Sequence, residues 1–264
     1  MSTLALPSRP RGRWKPWAIA AALALVTWVA AAPGIGIDLR LTPILHNWQN
    51  GTAKIAELLS PDWSFFPRTV APFVETLQMA VIATAIGAAL SLPLSFAAAR
   101  LTNPRPALRL LVRTVLNVIR AVPDLLYAAV LVAMVGVGAL PGILALVLFN
   151  VGILVKLVSE AIETEDRGPF EAAAAAGATQ GQINRSVGLP QTWPAFVGQT
   201  LYVFELNVRA STVLGLVGAG GLGLLIDAVR TFYRYDQLSL IILEILVIVL
   251  LLEAFSALVR KRLQ

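Results

Sequence analysis

Long apolar stretches alternate with short clusters of arginine and lysine along this chain. Met79–Ala99 carries no charge, and Leu125–Val155 runs for 31 residues without one. A helix needs about 20 mostly apolar residues to cross a hydrocarbon core about 30 Å thick. On that measure the pattern predicts six spans, near residues 17–32, 73–99, 114–135, 139–162, 193–217 and 238–259. Pro93 is expected to kink the second, which membrane helices tolerate. The 125–155 stretch is too long for one span and too short for two with a turn. Gly136, Gly138, Pro141 and Gly142 place the reversal inside it. Each half must then extend into polar sequence, the first back through Asp124 and Arg120, the second forward through Lys156 and Glu160.

Ionisable groups at that depth face protein or a water-filled cavity. Asn150 lies in the fourth predicted span, and Glu205, Asn207 and Arg209 lie near the middle of the fifth. Glu205 with Arg209, and Arg120 with Asp124, are four apart and are expected to pair. The alternative is that Arg120, Lys156 or Arg209 lines a path for an anion, since a guanidinium fork matches oxyanion geometry.

Composition sharpens the picture. Of 264 residues, 57% are hydrophobic and 14% charged, against roughly 25% charged in a soluble domain. Disorder is excluded, and a polytopic membrane protein is expected. No cysteine is present, and His46 is the single histidine, so thiolate chemistry is excluded and no metal site is expected. The net charge of +6 raises nucleic acid as a partner, but the basic residues sit beside spans. With the N-terminus inside, 13 of the 21 flank inner ends, and only Arg40, Lys54, Arg68, Arg230 and Arg234 lie outside. That excess places both termini in the cytoplasm and removes nucleic acid as a partner. Residues 1–16 form an inner tail and 17–264 one membrane domain. The first segment follows Arg9, Arg11, Arg13 and Lys15 and ends in Ala30, Ala31 and Ala32. It reads as a retained span, with a cleavable leader as the alternative.

The segment Glu171–Pro190, EAAAAAGATQGQINRSVGLP, carries the functional signal. Glu171–Ala176 is strong helix former. Gly177 permits a sharp turn or cap, Gln180–Val187 forms a second short helix, and Pro190 delimits the loop. Two short helices protruding together suit a partner's groove; a plain connecting loop is the alternative.

These residues resemble the EAA loop of bacterial ABC-importer permeases. Glu171, Ala172, Ala173, Gly177, Val187, Leu189 and Pro190 stand at its spacings, with Val187 where isoleucine is usual. In that family the loop docks on the ATP-hydrolysing subunit. NVIRAVPDLLYA (117–128), YVFELNVRASTVLGLVGAGGLG (202–223) and FSALVRKRL (255–263) resemble more narrowly the PhnE-type permeases of phosphonate and phosphite importers. The resemblance implies an all-α type I importer permease in the bacterial inner membrane. It implies a second permease copy, two ATPase subunits and an extracytoplasmic binding protein. ATP and magnesium would bind the ATPase, leaving this chain non-catalytic and without cofactor. Methionine importers share the glycine-rich ending and are the rival.

Other patterns are decoys. Gly218, Gly220 and Gly223 imitate a dinucleotide fingerprint, but no soluble βαβ unit exists to hold it. With Gly221 they are expected to form a close-packed or re-entrant turn at the outer end of a dimer interface. No Walker-type phosphate loop is present. Trp48 and Trp63 read as interfacial anchors, with binding-protein contact as the alternative. Glu163, Glu165 and Asp166 beside Arg167 read as a solvated turn rather than paired catalytic carboxylates. A secondary transporter would show paired broken helices or repeats, and no internal repeat is visible. An intramembrane enzyme would have only carboxylates to work with.

Overall fold

The computed structural model describes residues 15–32, 36–37, 39 and 42–263; Arg9, Arg11 and Arg13 lie outside them. Two compact units share the chain, Met1–Ile55 and Ala56–Gln264. In the first, α1 (Lys15–Ala31) has 17 residues, about 26 Å at 1.5 Å per residue. That is at the short end for a span, and its described side chains are exposed up to Ala30. Among its described residues, the expected outer loop 33–72 holds two helices, α2 (Thr42–His46) and α3 (Trp48–Leu58); Arg40 lies outside the described residues.

The second unit begins with a 3-10 turn, Trp63–Phe65. Asp62 caps it, accepting the Ser64 N–H at 3.0 Å and the Ser64 hydroxyl at 2.6 Å. The hydroxyl bond first, and the backbone bond with it, hold the Asp62 carboxyl below its ordinary range. The turn feeds α4 (Phe66–Ala98), 33 residues long. The expected start at Phe73 is therefore too late. Pro72 sits inside the helix, and Thr76 Oγ bonds its carbonyl at 2.9 Å.

The expected continuous third span is broken. α5 (Pro106–Ala121) and α6 (Asp124–Val135) meet at 82°. Proline crowds the residue before it out of the helical region, and Val122, preceding Pro123, is extended. The reversal lies where predicted. Gly136 and Gly138 take positive φ, 97° and 148°, and α7 (Ala139–Thr164) follows. After α8 (Gly168–Ala175) and α9 (Gln180–Ile183), a π-helical turn at Asn184–Gly188 runs without interruption into α10 (Leu189–Leu214). Pro190 is thus the second residue of α10, directly after the π turn, rather than a boundary between loop and span. A 3-10 turn, α11 (Gly221–Thr231) and α12 (Tyr235–Leu263) complete the chain.

Among the described residues, α4 with its entry turn, α7 and α12 are each long and apolar enough to cross a membrane. The bent pairs α5–α6 and α10–α11, the latter at 51°, pass the same test together. Three to five such segments, with α1 shorter, stand where six spans are expected. No strand occurs among the described residues.

Small and polar side chains let α4, α7 and α10 approach closely. Asn150 Nδ2 donates to the Ala83 carbonyl at 2.9 Å, and Asn207 Nδ2 to Thr84 Oγ at 2.7 Å. Both asparagines are fully buried. Such bonds hold helices together where no hydrophobic drive between them exists. A Cβ on Gly87 would stand 2.5 Å from Asn150 Cβ, an atom too near its own backbone to swing aside. Gly87→Ala is expected to destabilise by about 1–3 kcal/mol through overpacking. Gly181→Ala, with open space at its Cβ, serves as control. Thermal unfolding in detergent checks this: Gly87→Ala lowers Tm and Gly181→Ala does not.

Candidate functional site

The α8–α9 loop is built by three local devices. Asp166 Oδ1 accepts the Gly168 N–H at 3.0 Å as α8 begins, and Glu171 sits in the first turn, where a negative charge meets the helix dipole. At the far end, the Ala178 N–H bonds the Ala173 carbonyl at 3.1 Å and the Gly177 N–H bonds that of Ala174 at 3.0 Å. That is a Schellman closure, which needs a left-handed residue, and Gly177 supplies it at φ 82°. Thr179 and Gln182 then form a capping box on α9. Phe170 and Ile183 are buried, whereas Glu171, Ala172 and Gly177 are exposed and Ala173 and Val187 half-buried. Asn184 Nδ2 donates to the Thr102 carbonyl at 2.8 Å, tying α9 to the α4–α5 connection. Gly188 lies against Phe96 and Phe170. Leu189 and Pro190 open α10.

A groove of about 480 Å³ runs beside α8, lined by Arg100, Leu101, Glu163, Arg167, Phe170 and Glu171. Glu163 is not the solvated charge expected of it. Its Oε1 pairs with Arg113 at 2.5 Å and accepts the Arg100 N–H at 3.1 Å. Only a fold that brings α5 back onto α7 reveals this, 50 residues apart in sequence. Glu165, one residue beyond α7, is pushed above its ordinary pKa by burial.

The two expected i,i+4 pairs do not form. Glu205 is buried, Arg209 is exposed, and the nearest cation to Glu205 is Arg260 of α12, at 3.9 Å. Among the described residues no ion pair joins Arg120 to Asp124; Asp124 Oδ1 instead accepts the Leu125 N–H at 2.9 Å. Pro123 between them has broken the helix on which i,i+4 geometry depends. Lys156 and Glu160, on unbroken helix, do pair. Arg120 and Asp124 line a cavity of about 310 Å³ at the α5–α6 break, with Tyr127 and Phe149.

The glycine-rich turn is explained by contacts within the chain. Its Gly218 carbonyl accepts the Gly138 N–H at 3.0 Å, and the Leu222 N–H donates to Thr76 Oγ at 2.8 Å. Gly215 and Gly223 touch backbone to backbone, and a Cβ on Gly221 would strike Thr76 Oγ at 2.5 Å. The turn therefore pins α10 and α11 to α4 and the start of α7, and Gly220 and Gly221, with positive φ, admit it there. No group of metal-ligating side chains occurs among the described residues.

With that geometry in place, comparison with known proteins decides the family. Residues 91–264 match the model of the binding-protein-dependent transport system inner membrane component. The chain belongs to that family. The permease is 43% identical over 223 residues to the phosphite transport system permease protein PtxC of Stutzerimonas stutzeri, covering 84% of this chain and 81% of that one. It is 42% identical over 242 residues to the phosphate-import permease protein PhnE of Mycolicibacterium smegmatis, of which it spans 42%. Among solved structures, an inward-facing MetNI methionine transporter superposes with a TM-score of 0.71 at 22% identity, over 77% of this chain and 99% of that one. That likeness establishes the fold. A multi-pass membrane permease of an ABC importer accordingly replaces both the secondary-transporter and the enzyme readings.

Two basic residues that the sequence offers only as flanks of spans turn out to have carboxylate partners: Arg113, paired with Glu163, and Arg260, facing Glu205. Removing one partner of a buried charge leaves the other uncompensated. Arg260→Ala is expected to destabilise by about 1–3 kcal/mol, more than Glu205→Gln does, while Arg209→Ala stays within about 0.5 kcal/mol. Detergent melting curves of the three variants check the order; a larger loss in Arg209→Ala would restore the Glu205–Arg209 pair.

Proposed function

We propose that this permease carries a phosphite- or phosphonate-type oxyanion inward across the bacterial cytoplasmic membrane. The observation that carries the reading is the 43% identity to a phosphite permease over most of both chains. A 42% identical relative is a phosphate-import permease. The path would form between two copies of the chain, with two ATPase subunits beneath and a binding protein outside. ATP and magnesium belong to the ATPase. The EAA spacing, the exposed Glu171 and the Schellman-closed Gly177 support α8–α9 as the ATPase contact. Continuity from α9 through the π turn into α10 supports direct transmission of ATPase motion into the membrane helices. The excess of basic residues on one side supports cytoplasmic termini and a cytoplasmic α8–α9 loop.

Methionine is the second reading, favoured by 32% identity over 188 residues to a probable D-methionine permease of Vibrio cholerae. Proteoliposomes holding the permease, its ATPase and its binding protein separate the two. ATP-dependent uptake of phosphite or a phosphonate, with none of methionine, is expected; the reverse contradicts the assignment. In the same assay Gly177→Val is expected to insert normally and lose coupling. A β-branched residue in a left-handed conformation costs about 1–2 kcal/mol, with no packing cost, because open space surrounds the Cβ position. Wild-type uptake and wild-type ATP hydrolysis in Gly177→Val would refute the docking assignment.

A further inference from the structure

α5 is amphipathic in an inverted sense. Arg109, Arg113 and Arg120 are spaced four and seven apart, so they fall within about 40° of one another around the helix. The opposite face carries Leu111, Val115 and Val118, all exposed. Arg109 and Arg113 turn onto the protein, whereas Arg120 is exposed. Arg109 donates to the Asn103 carbonyl at 2.6 Å, and Arg113 to the Ala98 carbonyl at 2.8 Å as well as to Glu163. Arg120, the third member, has no carboxylate or carbonyl partner among the described residues. Its stem is nonetheless seated: a Cβ on Gly152 would lie 2.8 Å from Arg120 Cγ.

Arg120 borders a polar cavity of about 170 Å³ between α5 and α7, which Arg113, Asn117, Lys156, Glu160 and Glu163 also line. Three cations there face two carboxylates. Glu163 serves Arg113 and Glu160 serves Lys156; Arg120 shares the neighbouring cavity with Asp124 but makes no ion pair with it among the described residues, which leaves its positive charge without a carboxylate contact. It sits one residue before the α5 end, beside the break at Pro123. An unpartnered guanidinium is costly in hydrocarbon, and intramembrane charges face water, protein or a transported ion.

We infer that Arg120, with Asn117 and Lys156, forms a transient site for a tetrahedral oxyanion, visited on the way to or from the path between the two copies. The site lies in the cleft where α5 leans on α7. Lys156 is already paired and the cavity is polar and open, so binding there is weak, as an ion that must leave again requires. The inference rests on the importer reading, but its test does not use the substrate.

The chain lacks cysteine, so single introduced cysteines give a clean background. In the assembled importer, Asn117→Cys is treated with a membrane-impermeant anionic methanethiosulfonate and, separately, with its cationic analogue. The expected result is modification, with the anionic reagent faster by about tenfold through local field focusing. In Asn117→Cys/Arg120→Gln that preference falls at least severalfold. Val118→Cys, on the apolar face, is expected to stay unmodified. No reaction at 117, equal rates for the two signs, or an anion preference surviving Arg120→Gln would each overturn the site. Phosphite uptake by the wild-type importer is measured alongside. Its failure with the cysteine pattern intact would remove the substrate assignment and leave an anion path.

Discussion

A charge carried into an apolar helix must find a partner, and that constraint arranges most of this permease. Its cost is about 2.5–3.5 kcal/mol per group on insertion scales, comparable with a large share of a protein's net stability. Arg109 and Arg113 meet it with backbone carbonyls and Glu163. Glu205 meets it in part, 3.9 Å from Arg260 with its Oε1 making no hydrogen bond, and Glu244 with one oxygen, which accepts the Thr69 hydroxyl at 2.6 Å while Oε2 has no partner. The pairs join different helices, α5 to α7 and α10 to α12, so satisfying charge also fixes which helices lie side by side. The inverted amphipathicity of α5 is the plainest result, with Leu111, Val115 and Val118 outward and Arg109 and Arg113 turned onto the protein.

Backbone groups impose a parallel demand. Pro123 breaks the third segment, and a π turn joins α9 to α10 without breaking either. The glycine turn lets two backbones touch where side chains would not fit, and threads the Leu222 N–H onto Thr76. The consequence is a continuous helical rod from the α8–α9 loop to the glycine turn, fastened at one end by Asn184 and at the other by the Gly218 carbonyl, which accepts the Gly138 N–H. Motion applied to the loop has little slack in which to be lost.

Much of this was legible in the sequence. Apolar run length revealed the long segments, the glycines at 136 and 138 the reversal, and Gly177 the turn between two short helices. The local signals were sufficient there because the governing physics is local. The failures share a cause. Glu205 with Arg209 and Arg120 with Asp124 were read along one helix, whereas partners in a packed bundle come from other helices far away in sequence. Burial of Glu205 beside exposed Arg209 on the same helix follows from α12 packing, which spacing along α10 does not encode. Glu163 looked like a surface turn because Arg113 is 50 residues distant. One signal does lie in the sequence: arginines at 109, 113 and 120 share a face, which marks that face as one needing partners. The proline at 123 likewise announced a break that apolar run length concealed.

The most direct test of charge pairing as the organising constraint is a double-mutant cycle on Arg113 and Glu163. Arg113→Ala, Glu163→Ala and the double variant are unfolded thermally in detergent beside the wild type. Contacting charges couple by about 0.5–3 kcal/mol, and the half-exposed setting of this pair places it in the lower half of that range. The account predicts that the double variant loses less stability than the sum of the singles, with a coupling of about 1 kcal/mol. Strict additivity would mean that the two charges are held separately by water, and that pairing does not set α5 against α7.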